Sequence, residues 1–402
     1  MAGTKKIVVL GGGYAGISAV LALQKRLGRG EAEIILVNKH DYHYFTTWLH
    51  KPAAGTDSAD RPKVDIRDII DPRKVSFRKR DIRRIDTAAR TVETDEGDIP
   101  YDVLIVALGG EPETFGIPGL AEHAFFIRSL NSARIIREHI ERRFAEFRSD
   151  ESRTELLTFV VGGAGLTGIE FAGELVNRIP ELCREHGVDP ALVNIYVVEA
   201  APTALPGFDA GLVEHAMEHL KRKGVVFQLG TPVKKCTSEG VEIGEGEFIR
   251  AGTVIWAGGI RGNRVLEASG FGTTRGRVAV NAYLQAPGFG DVFVIGDSSM
   301  VMNDQGRPWP PSAQIAIQQG EAAARNAIAL LRGREMTPFR YVHRGTVASL
   351  GRGEAIGSVG RCKVKGLAAA ILKTVIDARY LYRIGGVRLV LRKTAFFPHQ
   401  SR

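Results

Sequence analysis

The chain has 402 residues, of which 44% are hydrophobic and 25% are charged. This length predicts two or three domains, and the composition is that of a soluble globular protein, which excludes a low-complexity chain. The formal net charge of +9 is concentrated at the C-terminal end, because residues 361–402 contain ten Lys or Arg and one acidic residue.

The cysteines do not indicate a disulfide framework or a zinc site. Cys183, Cys236 and Cys362 lie far apart in sequence, without the spacing of metal ligands. The first strand is predicted within a few residues of Met1, so we expect no signal or transit peptide.

A strand followed by a glycine-rich turn is predicted near the start of the chain. The apolar residues 7–10 lead into Gly11-Gly12-Gly13-Tyr14-Ala15-Gly16, then a helix to about Leu27 and a strand at 34–37. In this G-x-G-x-x-G spacing the first glycine allows a tight turn and the second lets the backbone approach a pyrophosphate. The third lets the helix pack on the strand, with its N-terminus facing the negative charge.

The same arrangement returns about 150 residues later, after a strand predicted at 101–108 and a helix at 131–150. Residues 156–161 lead into Gly163-Ala164-Gly165-Leu166-Thr167-Gly168, and the next strand ends at Glu199. Two such turns predict two bound dinucleotides, most simply a flavin and a nicotinamide nucleotide.

Glu199 favours NADH over NADPH as the second dinucleotide. A carboxylate at this strand end accepts hydrogen bonds from ribose hydroxyls and repels a 2′-phosphate. No arginine follows at 200–203 to bind such a phosphate. The alternative is a solvated carboxylate in a turn.

In three further segments, polar or small residues stand at the predicted end of a strand or at the predicted start of a helix. A strand at 254–256 leads into Gly258-Gly259, and a strand from 291 delivers Asp297 at its carboxyl end, where α/β sheets place their ligands. A helix is predicted to start near Ala313, with Gln314 and Ile317 on one face.

In this order the motifs resemble those of the two-dinucleotide-binding-domain flavoproteins, and among them the bacterial type II NADH:quinone oxidoreductases. The resemblance covers nearly the whole chain and is carried by residues 11–16, 41–47, 163–170, 296–297 and 313–318. It implies an α/β fold with two Rossmann-like domains, the NADH domain inserted in the FAD domain, and a C-terminal amphipathic membrane-anchoring segment. The implied divisions are 1–125 and 271–340 for FAD, 126–152 for a connecting helix, 153–270 for NADH and 341–402 for the anchor.

The resemblance also implies FAD contacts beyond the first glycine turn. Asn38 and Lys39 stand where an acidic residue usually binds the adenosine ribose, and Asn38 retains hydrogen-bonding groups for it. The other implied contacts are Thr46, Thr47, Ala107, Gly109, Gly296, Asp297, Ala313 and Gln314. Asp297 is also suited to cap a helix N-terminus, which is compatible with binding.

For NADH the implied contacts are Gly163, Gly165, Leu166, Thr167, Gly168, Glu170, Glu199, Gly258 and Gly259.

Two residues of the chain are catalytic candidates by resemblance, namely Glu170 in proton delivery and Gln314 at the quinone. As a general acid, Glu170 would need burial to raise its pKa toward neutrality. The alternatives are a carboxylate that completes hydrogen bonds at a helix end, and a Gln satisfied within a core helix. Quinone contacts are implied for Gln314, Ile317 and Ile376.

The absence of cysteine from one segment narrows the chemistry. Disulfide reductases of this superfamily relay electrons through a cysteine pair in the stretch that corresponds to residues 41–50, where this chain has none. Thiol chemistry and a sulfide:quinone oxidoreductase are therefore disfavoured. The nearby His40, His43 and His50 are expected to be packing or solvent residues and not metal ligands.

The basic C-terminal region is predicted to form an amphipathic helix. On a helical projection of 367–380 an apolar sector excludes Lys373, Thr374 and Asp377 but includes Arg379, and Phe396-Phe397 follow farther on. No run approaches the roughly 18–20 apolar residues that span a bilayer, so we expect the segment to lie on an anionic lipid surface. The alternatives are an ordinary docking helix, a dimer contact and a nucleic-acid patch. No nucleic-acid motif accompanies the charge, so no nucleic-acid partner is expected.

Together these features predict a non-proton-pumping respiratory NADH dehydrogenase that uses FAD and reduces a membrane quinone, either menaquinone or ubiquinone. By resemblance it would be a homodimer and a monotopic protein on the cytoplasmic face of the bacterial plasma membrane. Two alternatives stay open from sequence: a soluble NADH-dependent reductase of a carrier protein, and a redox-controlled flavoprotein signalling or binding module.

Overall fold

The computed structural model describes residues 4–394, which form two compact units. The first unit consists of the residues up to Phe45 together with Lys63–Glu111 and Ile260–His343. The second consists of Thr46–Pro62, Pro112–Gly259 and the residues from Arg344 onward. The chain therefore leaves the first unit and returns to it, and the domain divisions given above stay predictions.

The helices begin after a cap or a turn and end at glycines or at polar residues. In chain order they are α1 (Tyr14–Arg26), α2 (His50–Ala54), α3 (Leu120–His123), α4 (Leu130–Ser149), α5 (Leu166–His186), α6 (Ala210–Arg222), α7 (Arg264–Ala268), α8 (Ala313–Leu331) and α9 (Gly366–Lys393). The helices predicted after the two glycine turns are confirmed as α1 and α5. The helix predicted at 131–150 is confirmed as α4, and the helix predicted to start near Ala313 is confirmed as α8. Ser129 caps α4, where its side chain accepts from the Ser132 N–H.

The first unit is built on a parallel sheet whose central strands are apolar over most of their length. From one edge to the other its strands are Val292–Val294, Val103–Val106, Lys5–Leu10, Ala32–Asn38 and Val75–Lys79. Val8, Val37 and Leu104 are buried in its core, as expected for a sheet covered on both faces. The carboxyl ends of these strands form one edge, which carries the first glycine turn.

The second unit repeats this architecture. Its parallel sheet has the strand order Phe125–Phe126, Thr253–Trp256, Thr158–Gly162, Asn194–Glu199 and Val225–Leu229. Val160 and Val198 lie in a core that also contains Leu120 and Val241. The strand before the second glycine turn lies in the centre of the sheet, which places the turn in the middle of the carboxyl edge.

Smaller sheets complete both units. In the first unit they comprise Tyr42–Tyr44 with Lys63–Asp65, then Ile82–Asp86, Thr91–Thr94 and Ile99–Pro100, and then Thr273–Thr274, Arg277–Ala279 and Ser299–Met300. In the second unit they comprise Val233–Thr237, Gly240–Ile243 and Glu247–Arg250, and then Thr346–Ser349, Ala355–Val359 and Cys362–Lys365. The strands Gly110–Pro112 and Ile260–Gly262 lie where the chain passes between the units.

Helix α9 follows the last of these sheets and has an unusual distribution of polar and apolar residues. Leu367, Ile371 and Val375 are exposed, whereas Lys373 and Asp377 are half-buried. The helical geometry breaks at Gly385-Gly386. Within residues 4–394 no helix is long and apolar enough to cross a bilayer. The predicted amphipathic helix is confirmed, and Phe396-Phe397 lie outside the described residues.

Candidate dinucleotide sites and a buried charged cluster

The first glycine turn brings α1 into backbone contact with the strand before it. Gly11 has a φ of +100°, a conformation that favours glycine, and its N–H donates to the Val37 carbonyl over 2.8 Å. A side chain on Gly16 would overlap the Gly11 carbonyl oxygen. These two positions therefore admit only glycine, as the spacing predicted.

The second turn has the same geometry. Gly163 has a φ of +105°, and its N–H donates to the Val198 carbonyl over 2.7 Å. A side chain on Gly168 would overlap the Gly163 carbonyl oxygen. The two units thus present equivalent turns at the carboxyl edges of equivalent sheets.

The middle glycine of each motif has a different role. A Cβ on Gly13 or Gly165 would meet no atom within 4 Å. Each of these residues precedes the first residue of a helix, α1 or α5, whose N-terminal N–H groups attract negative charge. Open space at a helix N-terminus fits a pyrophosphate, so the residues present at both turns fit a dinucleotide.

The strand-end residues that were predicted to bind ribose also hold the turns in place. The Asn38 Oδ1 accepts from the Gly12 N–H over 2.9 Å, and the Glu199 Oε2 accepts from the Ala164 N–H over 2.7 Å. The other Glu199 oxygen accepts from the Ala201 N–H over 2.8 Å. Both side chains therefore lie beside the space for the pyrophosphate, where an adjoining ribose would be. Lys39 is exposed to solvent.

The remaining predicted FAD residues of the first unit gather around its turn. A side chain on Gly11 would overlap the Ala107 carbonyl oxygen, and one on Gly296 would lie 3.2 Å from the Ala15 Cβ. The Gly109 carbonyl accepts from the Ser298 hydroxyl over 2.8 Å. Separate stretches of sequence thus converge on one edge of the sheet.

Asp297 lies in this group with a carboxylate that needs a partner. Burial raises the pKa of Asp297, and the nearby Arg277 guanidinium opposes that shift. Within residues 4–394 no hydrogen bond to its carboxylate is found. A half-buried carboxylate in this state fits a ligand hydroxyl, which agrees with the predicted FAD contact.

Two residues that support the first turn were not predicted to do so. Gln319, 2% exposed, accepts from the Gly296 N–H over 2.6 Å and donates to the Ser299 hydroxyl over 3.0 Å. The His43 Nδ1 lies 2.9 Å from the Gly12 carbonyl oxygen. Burial lowers the pKa of His43 to about 4, so its ring is neutral. The only signal for Gln319 in the sequence was its position four residues after Ile315, which places both side chains on one face of the predicted helix.

The histidines and cysteines lie apart from any metal-binding arrangement in the described residues. No group of His, Cys, Asp or Glu among the described residues could hold a metal ion. All three cysteines are free thiols, and burial raises the pKa of Cys236 to about 11 and raises that of Cys183 as well. These two thiols are therefore protonated and poor nucleophiles at neutral pH.

Glu170 is the centre of a buried charged cluster in the second unit. It lies near the start of α5 and is 7% exposed. Its Oε1 accepts from the Lys373 ammonium group of α9 and from the Ser349 N–H, the latter over 3.1 Å. Its Oε2 lies 3.5 Å from the His50 Nδ1 of α2. Three separate parts of the second unit therefore converge on this carboxylate.

The charge states of the residues in this cluster depend mainly on the ion pair between Glu170 and Lys373. Burial, the largest single influence, disfavours the Glu170 carboxylate, but Lys373, His50 and the Ser349 N–H together hold the pKa of Glu170 below its usual value. Burial likewise disfavours the Lys373 ammonium, but Glu170 and Asp377 keep its pKa raised. Burial raises the pKa of Asp377 and lowers that of His50 to about 3. Glu170 therefore lacks the raised pKa that a general acid would need, because a cation lies against it.

Sequence analysis missed Lys373, Asp377 and His50 as members of this cluster. The available signal was a Lys and an Asp four residues apart in a helix whose other face is apolar. That spacing predicts a shared face, but it does not say whether the face is buried or solvated.

The other predicted residues divide between the two units. In the first unit Gln314 and Ile317 lie in the first turns of α8, after Ala313, and the Gln314 Oε1 accepts from the Tyr341 hydroxyl over 3.1 Å. In the second unit the predicted residues other than the turn glycines, Glu199 and Glu170 lie at element ends or on exposed helix faces. They are Thr46, Thr47, Leu166, Thr167, Gly258, Gly259 and Ile376.

Comparison with known proteins shows the family to which the chain belongs. A family model described as pyridine nucleotide-disulphide oxidoreductase matches residues 5–320. The chain is 44% identical to the type II NADH:quinone oxidoreductase of Staphylococcus saprophyticus over 397 residues, covering 98% of this chain and 99% of the relative. It is 45% identical to the enzyme of the same name from Staphylococcus epidermidis, with the same coverage.

Solved structures show the same fold at lower sequence identity. NDH2 from Plasmodium falciparum, in complex with NADH, superposes with a TM-score of 0.85 at 16% identity, covering 98% of this chain and 99% of the other. A sulfide:quinone oxidoreductase from Aquifex aeolicus superposes with a TM-score of 0.77 at 20% identity, covering 95% and 92%. The predicted fold class is confirmed.

Two glycine substitutions separate binding from folding at the second turn. Gly168→Ala forces α5 away from the strand and should destabilise the protein by about 1–3 kcal/mol. Gly165→Ala meets no protein atom, so its stability should stay within about 1 kcal/mol of the original, while the methyl group weakens NADH binding at least about tenfold. Urea unfolding and NADH titration measure the two effects. Unaltered NADH affinity in Gly165→Ala would show that this turn does not hold the dinucleotide.

Removal of the buried cation should give a pH-dependent loss of stability. In the native protein the lowered pKa of Glu170 contributes stability above its unfolded value near 4.5, and this contribution is lost as pH falls. Lys373→Met leaves the carboxylate buried without its cation and so raises the pKa of Glu170 above the unfolded value. The loss should be about 3–5 kcal/mol at pH 8 and smaller at pH 5. Urea unfolding across this range tests it.

The matched control is the double variant Glu170→Gln with Lys373→Met, which has no buried carboxylate at position 170. It should recover most of the stability at pH 8 and show a weaker pH dependence. If Lys373→Met lost the same free energy of unfolding at pH 5 and at pH 8, the pH dependence could not be assigned to Glu170.

Proposed function

Since the chain belongs to the pyridine nucleotide-disulphide oxidoreductase family, among the type II NADH:quinone oxidoreductases, we propose that it is a respiratory NADH dehydrogenase containing FAD. It oxidises NADH and reduces a membrane quinone without pumping protons. The observation that carries this proposal is the pair of equivalent glycine turns, one in each unit, in a chain without a redox cysteine pair. When bound, FAD accepts a hydride and passes on two electrons.

The two turns hold the two dinucleotides. The first turn, with Asn38 and Asp297, binds FAD, and Thr46 and Thr47 approach its flavin. The second turn binds NADH, with Glu199 accepting from ribose hydroxyls. Because Glu199 is a carboxylate, a 2′-phosphate would be repelled, and NADH is preferred to NADPH.

The buried ion pair supplies the proton chemistry. Reduction of a quinone to a quinol adds two electrons and two protons. The hydride of NADH would bring both electrons and one proton, and the Glu170–Lys373 pair would hold the second proton at the Lys373 Nζ. The ammonium group is the protonated member because Glu170 and Asp377 stabilise its charge. Glu170 acts by holding that ammonium group in place, and not as a carboxylic acid.

Quinone contacts are proposed for Gln314, Ile317 and Ile376. With the Gln314 Oε1 held by the Tyr341 hydroxyl, the amide nitrogen is the group suited to donate to a quinone carbonyl. Branched apolar side chains suit the quinone ring. Residues 1–125 and 271–340 are proposed to form the FAD domain and 153–270 the NADH domain, in a homodimer.

Helix α9 is proposed to attach the enzyme to the cytoplasmic face of the plasma membrane. Its outer face exposes Leu367, Ile371 and Val375, and Arg379 and Arg388 are exposed on the same helix. Apolar and basic side chains together favour the interface of an anionic bilayer, where each basic residue contributes up to about 1 kcal/mol. The enzyme is thus monotopic.

Anaerobic stopped-flow spectroscopy tests the proposed reaction. The purified protein should be yellow, NADH should bleach the flavin within the enzyme's turnover time, and a short-chain quinone should restore the colour equally fast. NADPH should act much more slowly. Flavin that is bleached by NADH but is not rapidly reoxidised by quinone would instead support the reductase of a carrier protein or the signalling module.

Vesicle binding tests the proposed role of α9. Ile371→Glu places a charge in the exposed apolar face and should weaken binding to anionic vesicles about tenfold or more, since transfer of one such side chain contributes about 1.5–3 kcal/mol when fully buried. Leu192→Glu, at an exposed position outside α9, is the control and should bind as the original protein does. Equal binding by both variants in a sedimentation assay would refute the assignment.

A further inference from the structure

Phe115 occupies a turn position that its residue type disfavours. The Ile117 N–H donates to the Thr114 carbonyl over 2.9 Å, and the two residues between them, Phe115 and Gly116, have φ values of +51° and +70°. Positive φ at both central residues defines a type I′ turn, which favours Asn or Gly at the first of them. A bulky aromatic residue there is an outlier, and such outliers concentrate at functional positions.

The ring of Phe115 is held against the loop that contains two predicted NADH contacts. The Trp256 Nε1 donates to the Glu113 carbonyl over 2.8 Å, and the Glu113 N–H donates to the Gly259 carbonyl over 3.0 Å. A Cβ on Gly259 would lie 3.0 Å from a carbon of the Phe115 ring. The ring itself is 50% exposed. A strained backbone therefore presents a partly exposed aromatic surface beside Gly259.

The strand order shows which half of a dinucleotide would reach this surface. The strand before the glycine turn, Thr158–Gly162, has Asn194–Glu199 on one side and Thr253–Trp256 on the other. Glu199 therefore lies on one side of the turn, and Gly259 lies on the other. With the pyrophosphate at the turn and the adenosine ribose at Glu199, the nicotinamide half extends toward Gly259.

We propose that Phe115 is a positioning residue that packs its ring against the nicotinamide riboside half of NADH. This inference rests on the proposed function and deepens it by assigning a contact to one half of the dinucleotide. Aromatic faces pack on flat heterocycles and riboses, and a ring fixed in a tight turn loses little freedom when the ligand binds.

Phe115→Asn tests this role, because asparagine is favoured where phenylalanine is strained. The variant should be as stable as the original protein or more so in urea unfolding. Its KM for NADH should rise about five- to tenfold, with a smaller change in kcat at saturating NADH. Competitive inhibition by ADP, which lacks the whole nicotinamide riboside, should change less than about twofold. Phe115→Tyr retains the ring and should keep a KM close to the original.

Three results would overturn the inference: an unchanged KM for NADH in Phe115→Asn, an equal loss of affinity for ADP, or a fall in the stability of this variant. Failure of the proposed function is distinguishable, because the flavin of the unsubstituted protein would then either not be bleached by NADH or not be rapidly reoxidised by quinone. If that protein is reduced by NADH while Phe115→Asn keeps its KM, only the role of Phe115 is refuted.

Discussion

Both dinucleotide sites depend on how closely a helix can approach the strand before it. At each turn the last glycine of the motif packs on the carbonyl oxygen of the first, at a separation that leaves no room for a Cβ. This approach directs the first N–H groups of α1 and α5 toward the open space beside Gly13 and Gly165. The strand-end side chains Asn38 and Glu199 hold the turns in that position by accepting from their N–H groups. Ligand binding thus begins with a steric constraint, and the helix N-terminus adds electrostatic attraction.

A second constraint is the buried ion pair between α5 and α9. An ion pair in a protein interior adds little net stability, because desolvation offsets the attraction, yet loss of one partner is costly. The pair therefore specifies where α9 lies in the second unit more than it stabilises the fold. It also reverses the effect of burial on Glu170, since the pKa of that residue falls although its side chain is buried. In the proposed function this carboxylate orients a proton carrier, and its lowered pKa makes it unsuited to release a proton near neutral pH.

The sequence was sufficient for features that follow from local spacing. The glycine turns, the helices that follow them and the strand ends at Glu199 and before Asp297 all have patterns that single segments express. The partners of Glu170 could not be predicted in this way, since Lys373 and His50 come from helices far away in sequence. The sign of the pKa shift of Glu170 depends on those partners, so the sequence could not predict it. Gln319 was missed for the same reason, because its partner Gly296 belongs to another segment.

The orientation of α9 links the ion pair to the proposed membrane surface. Successive residues of a helix are separated by about 100°, so residues two positions before and after Lys373 point about 160° away from it. These residues are Ile371 and Val375, and both are exposed. Since Lys373 is held against Glu170, the helix cannot rotate to bury its apolar side in the second unit. The contact that holds a proton at the Lys373 Nζ therefore also leaves the apolar face of α9 available for lipid.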